Sequence, residues 1–205
     1  MIAIVDYGMG NLFSVHKALE RIGASAVVTE RPEDLASAEK IILPGVGAFG
    51  DAMKELEKRG LAAALRNEAG KGKIILGICL GLQVFFERSE ESPGVGGLGL
   101  LPGEVKRFVT DLKVPHMGWN ELIMKRKPSL YNGIDEGAHV YFVHSYYVVP
   151  QNPADIATTT DYGGEFVSSV WRGNLVATQF HPEKSQAMGL RMLKNFVDME
   201  IGKRL

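Results

Sequence analysis

The stretch KIILGICLGLQ, residues 73–83, holds the chain's only cysteine. An apolar run at 74–76 leads into Gly77-Ile78-Cys79-Leu80-Gly81, and a helix-like pattern follows. Such a run reads as a buried strand that must turn sharply into a helix. Glycines two residues before and two residues after the thiol have the form of a nucleophile elbow. The chemistry needs that form. The reacting atom must stand clear of the sheet on a strained turn, and its neighbours must be small enough for strand and helix to pack closely. Amides at the start of the following helix then favour the thiolate and supply a donor for a developing oxyanion. A buried structural cysteine beside an ordinary strand-to-helix turn would use the same residue types. The paired glycines favour the elbow.

Working outward, the same grammar recurs. Residues 2–5, AVVTE at 26–30 and KIILPG at 40–45 read as short buried strands, with KIILGI at 73–78 as the fourth. Between them lie helical patterns. Leu12, Val15, Leu19 and Ile22 recur at helical spacing before Gly23, and residues 50–72 hold helical material interrupted at Gly60. LQVFFERS, at 82–89, is expected to form the helix after the elbow. Apolar strands alternating with helices indicate a parallel sheet covered on both faces. After about residue 95 the pattern changes to short strands separated by turns, and a last helix carries Leu190, Leu193, Phe196 and Val197. The expected fold is α/β and flavodoxin-like. A central, mostly parallel sheet is flanked by helices, antiparallel strands are added in the C-terminal half, and a single domain spans residues 1–205.

Bulk composition excludes several classes. The net charge of −1 offers nothing to attract nucleic acid or an anionic membrane. Lys125-Arg126-Lys127 reads as a solvated turn. No apolar run approaches the length of a bilayer span. One cysteine cannot close an internal disulfide, and the first residues lack a secretory pattern, so a cytoplasmic protein is expected.

A thiol nucleophile needs a base, and the base needs an orienting group. Of His16, His116, His139, His144 and His181, only His181 arrives with such a group nearby, in QFHPEKS. Residues i and i+2 on extended chain point the same way, so Glu183 can hold one ring nitrogen while the other faces Cys79. An incidental His and Glu on a surface loop is the bland alternative. His16 falls on a helix, and His116 and His144 fall in strand-rich segments where either could be a satisfied core histidine. Five scattered histidines and one cysteine make no zinc constellation, and no metal or cofactor is expected.

Two glycine-rich loops follow strands. DYGMGN, at 6–11, lacks the third glycine of a dinucleotide fingerprint, where Phe13 stands. PGVGAFGD, at 44–51, lies at the carboxyl end of the third strand, where sites in open α/β sheets gather. It can supply a second oxyanion donor from an amide near Val46 or Gly47. It has no Walker lysine, which argues against a phosphate cradle.

PGVGAFG, GICLGLQ and FHPEKS, in that order and spacing, resemble the class I, triad-type glutamine amidotransferases. DYGMGN, PHMGWN at 115–120 and VHSYY at 143–147 narrow the resemblance to glutaminase subunits of histidine biosynthesis. The likeness covers essentially the whole chain. Leu82 stands where methionine is common in the family. The resemblance implies that Cys79 attacks the side-chain amide of L-glutamine and forms a thioester. His181 would act as base and then protonate the departing nitrogen, with Glu183 orienting it. The amide of Leu80 and one from Val46 or Gly47 would hold the oxyanion. Gly45, Gln83 and the backbone at Ser145 and Tyr146 would grip the substrate.

A partner is implied as well. Ammonia released into water is mostly captured as non-nucleophilic ammonium, and the 205 residues are taken up by one domain, so the acceptor site is expected on another polypeptide. By resemblance that partner is a (β/α)8-barrel cyclase, joined as a heterodimer. It would add the ammonia to a phosphorylated ribulosyl aminoimidazole-carboxamide intermediate, giving imidazole glycerol phosphate and a ribonucleotide used in purine synthesis. Asn11, Met117, Trp119, Asn120, Tyr141 and Lys184 are the interface candidates, with core packing the alternative for Trp119 and Tyr141. PHMGWN argues against the glutaminase of pyridoxal phosphate synthase, and intact His181 and Glu183 argue against a non-catalytic flavodoxin-like thiol sensor.

Overall fold

A computed structural model describes residues 1–200 of the chain; residues 201–205 of the expected domain lie outside that range. The first half alternates as expected: β1 (Ile2–Val5), α1 (Leu12–Arg21), β2 (Ala26–Thr29), α2 (Pro32–Ser37), β3 (Lys40–Gly45), α3 (Phe49–Lys58), α4 (Leu61–Gly70), β4 (Ile74–Cys79) and α5 (Leu80–Gln83). The second half is mostly strand: β5 (Arg88–Ser89), β6 (Gly103–Arg107), β7 (His116–Glu121), β8 (Ile123–Met124), β9 (His139–His144), β10 (Tyr146–Pro150), β11 (Ile156–Asp161), β12 (Glu165–Arg172) and β13 (Leu175–Thr178). The helix α6 (Gln186–Asp198) closes it.

One sheet runs in the order β2-β1-β3-β4-β13-β12-β10-β6-β5, with β11 pairing β12 and β8. β2, β1, β3, β4 and β13 are mutually parallel neighbours, and the strands beyond β13 join largely antiparallel. The period-2 alternation of each strand sorts its side chains between two cores. Ala3, Val5, Ile41, Leu43 and Ile75 face Leu35, Met53, Leu56, Leu61 and Leu65, from α2, α3 and α4. Ile2, Ile4, Ile42, Leu76 and Ile78 face Val15, Leu19, Met192, Leu193 and Phe196, from α1 and α6. Both faces are covered, which is why these strands read as unbroken apolar runs.

Two expectations need correction. The helix after the elbow is only four residues long and ends at Gln83; Val84–Ser89 is turn followed by the short β5. Val84, Phe85 and Phe86 are consecutive and all fully buried, so a further helical turn here would have no polar face to give to water. Its carbonyls instead accept from the loop that follows: Leu98 N to Val84 O at 2.8 Å, Leu100 N to Phe85 O at 2.8 Å and Gly97 N to Glu87 O at 2.9 Å. The second difference is α2, which the strand reading passed over. Pro32 at its start, with Glu33 and Asp34 in the first turn, is a helix-initiation signal.

Candidate active site

β3, β4 and β13 are adjacent and parallel, so their carboxyl ends meet at one edge of the sheet. Gly45 is paired with Cys79 across β3 and β4, and Ile78 with Thr178 across β4 and β13. The glycine loop, the thiol and the histidine segment therefore emerge side by side, although 35 residues of β-rich chain separate His181 from the VHS stretch and about a hundred separate it from Cys79.

Cys79 sits at φ 56°, ψ −107°, between β4 and α5. Only one other non-glycine among the described residues, Gln186, has positive φ. Backbone held in this region costs on the order of 1–3 kcal/mol and persists where the surroundings over-determine it. Here the paired glycines do so. A Cβ on Gly81 would strike the carbonyl oxygen of Leu43 on β3, and one on Gly77 would lie 2.7 Å from Gly81 O. The elbow is the strand-to-helix packing that the spacing predicts.

His181 and Glu183 come together, but across a tight turn and not on the extended chain that was expected. Pro182–Lys184 forms one turn of 3₁₀ helix, and His181 Nδ1 lies 2.8 Å from Glu183 Oε1. Both side chains are almost wholly buried. A carboxylate can only accept, so Nδ1 carries the proton, and Nε2 is left as the working nitrogen. Nε2 is buried without a nitrogen or oxygen partner. Burial pulls the imidazole pKa down, but Cys79, by charge and hydrogen bonding, and then Glu183 outweigh it, and the value is pushed up to about 10. Ser185 Oγ donates to His181 O at 2.7 Å and His181 N to Tyr141 O at 2.9 Å, so the turn is anchored to β9.

A cavity of about 290 Å³ opens over the thiol. Val46, Gly47, Leu80, Gln83, Ser145 and Tyr146, all expected from the sequence, line it. Gly45 sits beneath it, packed against Leu80 and the Tyr7 hydroxyl so closely that a Cβ there would clash. Gly47 adopts φ 99°, a conformation that favours glycine. The loop is tied down on its far side: Phe49 N donates to Glu91 Oε2 at 2.7 Å and Gly50 N to Ser92 Oγ at 3.0 Å, satisfying amides at the start of α3.

Three features escaped the sequence reading. Gln179, fully buried after β13, has its Nε2 3.6 Å from Cys79 Sγ. Gln83 Nε2 donates both to Tyr146 O and to Gln179 Oε1, at 3.1 Å each. Behind them, β7 and β9 pair with His116 opposite His144. His116 Nδ1 and His144 Nε2 are 3.0 Å apart, and His144 Nδ1 donates to Tyr146 O at 2.8 Å. Asn120 Nδ2 reaches His116 Nε2 at 3.3 Å. Burial pushes His116 down to about 4 and His144 down to about 3, so both are neutral. They are satisfied core histidines, one of them lining the cavity. Only the strand register, which the sequence does not display, brings them together.

Of the interface candidates, Met117 (62% exposed) and Trp119 (46%) project from the same face of β7. Tyr141 lies across from Trp119, with ring centroids 6.0 Å apart, and Lys184 Nζ sits 5.9 Å over the Tyr141 ring. Asn11 caps α1 by accepting from Ser14 N at 3.3 Å. Asn120 spends its amide on His116 and on Asp161 O. Among the described residues no group of His, Cys, Asp and Glu is arranged to hold a metal ion, and no helix is long and apolar enough to cross a membrane.

An elbow thiol and a glycine loop lining one cavity, with a carboxylate-held imidazole on the neighbouring strand end, define a class of amide-cleaving enzyme. The chain belongs to the class-I glutamine amidotransferase family, whose model matches residues 3–199. Among curated relatives, imidazole glycerol phosphate synthase subunit HisH of Moorella thermoacetica is 55% identical, covering 97% of this chain and 94% of that one. The protein of the same name from Syntrophotalea carbinolica is 52% identical over 97% of this chain and 100% of its own, and that from Aquifex aeolicus 53% identical over 94% of each. A solved glutamine amidotransferase superposes with a TM-score of 0.77 at 20% identity, covering 97% of this chain and 98% of that one. At that identity the structural likeness speaks for the fold.

Proposed function

We propose that this chain is the glutaminase subunit of an imidazole glycerol phosphate synthase, with Cys79, His181 and Glu183 as its catalytic residues. One observation carries the assignment of roles: the parallel neighbours β3, β4 and β13 bring the glycine loop and the thiol, which line one cavity, beside the segment that holds the His181–Glu183 pair. The relatives at 50–55% identity over nearly the full chain support the choice of synthase.

L-Glutamine enters with its carboxamide over Cys79, its polar groups meeting Gln83 and the backbone of Ser145 and Tyr146. The sulfur attacks as thiolate, forming the C–S bond while the carbonyl oxygen becomes an oxyanion. Leu80 N and an amide of Val46 or Gly47 receive that charge. With its pKa near 10, His181 holds a proton at neutral pH, and this proton goes to the departing nitrogen as the C–N bond breaks. Ammonia leaves, and Cys79 keeps the γ-glutamyl group as a thioester. The imidazole, now neutral, takes a proton from water, whose oxygen attacks the thioester. Glutamate departs and the thiolate–imidazolium pair is restored. Glu183 holds the imidazole in one tautomer throughout.

Ammonia that escaped would be trapped as ammonium, so the product must pass directly to a bound acceptor. We take the partner to be a (β/α)8-barrel cyclase in a heterodimer, docking over the face that carries Met117 and Trp119. The test is glutamate release by the chain together with its co-expressed cyclase subunit, with Cys79→Ala as control. Release by the wild-type pair and none by the variant is expected. Absence of release from a wild-type pair that co-purifies would overturn the proposal.

A further inference from the structure

We infer that Gln179 is a positioning residue for the reacting sulfur, donating a hydrogen bond from its side-chain amide to Cys79 Sγ, with the amide's polarity locked through Gln83 by the backbone carbonyl of Tyr146. The inference deepens the proposed function and rests on Cys79 being the nucleophile.

The geometry runs in one direction. Tyr146 O can only accept, so the Gln83 atom 3.1 Å from it must be the NH₂ group. The same nitrogen lies 3.1 Å from the next side chain, so the atom it meets on Gln179 must be the oxygen. Gln179 is then obliged to present its own NH₂ to the sulfur, at 3.6 Å. Flipping either amide would set two donors or two acceptors against each other inside a closed site. The orientation of an amide is ordinarily a matter of assignment; here a backbone carbonyl dictates it. His144 Nδ1, donating to that same oxygen at 2.8 Å, holds the carbonyl in place from the other side. Gln179 is fully buried, and its backbone N donates to Ser168 O at 2.8 Å, so the side chain starts from a fixed point on the sheet.

A buried amide that served only to fill space would be better replaced by an apolar group of the same shape. Set against a thiolate, it makes a charge-assisted bond, and it makes the sulfur a better leaving group when water opens the thioester. The donor acts on the two charged-sulfur states and is idle while the acyl group is attached.

The test compares the full-length wild type with Gln179→Met and Gln179→Glu. The rate of Cys79 alkylation by iodoacetamide is followed by mass spectrometry across pH, with folding checked by urea unfolding. Cys79 is the chain's only cysteine, so the signal is unambiguous. In Gln179→Met, alkylation near neutral pH is expected to slow about tenfold, with the high-pH plateau rate unchanged. Gln179→Glu keeps an acceptor for Gln83 but sets an acid beside the sulfur, and is expected to be slower still. Profiles from folded variants that superpose on the wild type would overturn the inference. A second measurement needs no variant: the Gln179 side-chain amide signal in the wild-type NMR spectrum should move over the pH range in which alkylation rises, and a signal that stays still would equally overturn it. If the alkylation profiles separate while the wild-type pair releases no glutamate, the glutaminase reading falls and the donor to the sulfur stands.

Discussion

Replacing Gly81 by alanine puts the elbow under a direct test. The added methyl would be driven into the carbonyl oxygen of Leu43, with Leu43 C 3.0 Å away. Neither side can yield. Leu43 belongs to β3, which is held between β1 and β4, and Gly81 follows Cys79, whose register with Gly45 is set by the same ladder. Overpacking a core costs about 1–3 kcal/mol when side chains can move aside. Here the obstacle is backbone, so about 3 kcal/mol or more is expected. With a urea slope of about 1–3 kcal/mol/M, the unfolding midpoint falls by about 1 M or more. Glutamate release falls too, because the Leu80 amide is pushed away from the loop at Val46 and Gly47. Gly70→Ala is the matched control. Gly70 ends α4, and beyond its own helical turn the added Cβ would meet nothing within 4 Å. It should gain about 0.5 kcal/mol or more from helix propensity and reduced unfolded-state entropy. A Gly81→Ala protein as stable and active as wild type would refute the packing argument.

Glu183→Gln keeps an acceptor for His181 Nδ1 but removes its charge, so the imidazole should titrate below its present value of about 10. Glutamate release should fall about tenfold to a hundredfold, as loss of a charge-assisted hydrogen bond implies, with histidine NMR and steady-state rates as the readouts. Stability should depend on pH in opposite senses on the two sides of neutrality. His181 has its folded pKa raised from 6.5, so its contribution is complete below about pH 6.5 and is lost as pH rises toward 10; urea midpoints should decline over that window, and less steeply in His181→Gln. His116 and His144 have theirs lowered, to about 4 and about 3, so the unfolded chain takes up protons first and stability falls as pH drops below about 6.5. Alanine at Met117 and Trp119, both well exposed, should alter folding by no more than about 0.5 kcal/mol yet weaken binding to the proposed cyclase subunit tenfold or more, which calorimetry of the pair would measure.

The local features of this chain were readable along the polymer. Apolar runs at 2–5, 40–45 and 73–78 could only be strands buried on both faces, and they are. Gly77 and Gly81 flank Cys79 because the turn leaves no room for a Cβ, and His181 and Glu183, two residues apart, pair across the 3₁₀ turn at Pro182–Lys184. Each of these follows from backbone geometry over a few residues. The short α5 did not: the periodicity of 82–89 suits a helix, but the loop at 97–101 takes its carbonyls. Gln179 facing the sulfur and His116 facing His144 were equally hidden. Strand order decides them, with β13 inserting beside β4 and β7 registering on β9. Residue types and their spacing thus determined which groups could react. Only the pairing of strands far apart in the chain decided which of them meet, because hydrogen-bonded ladders between distant segments leave no periodic trace in either one.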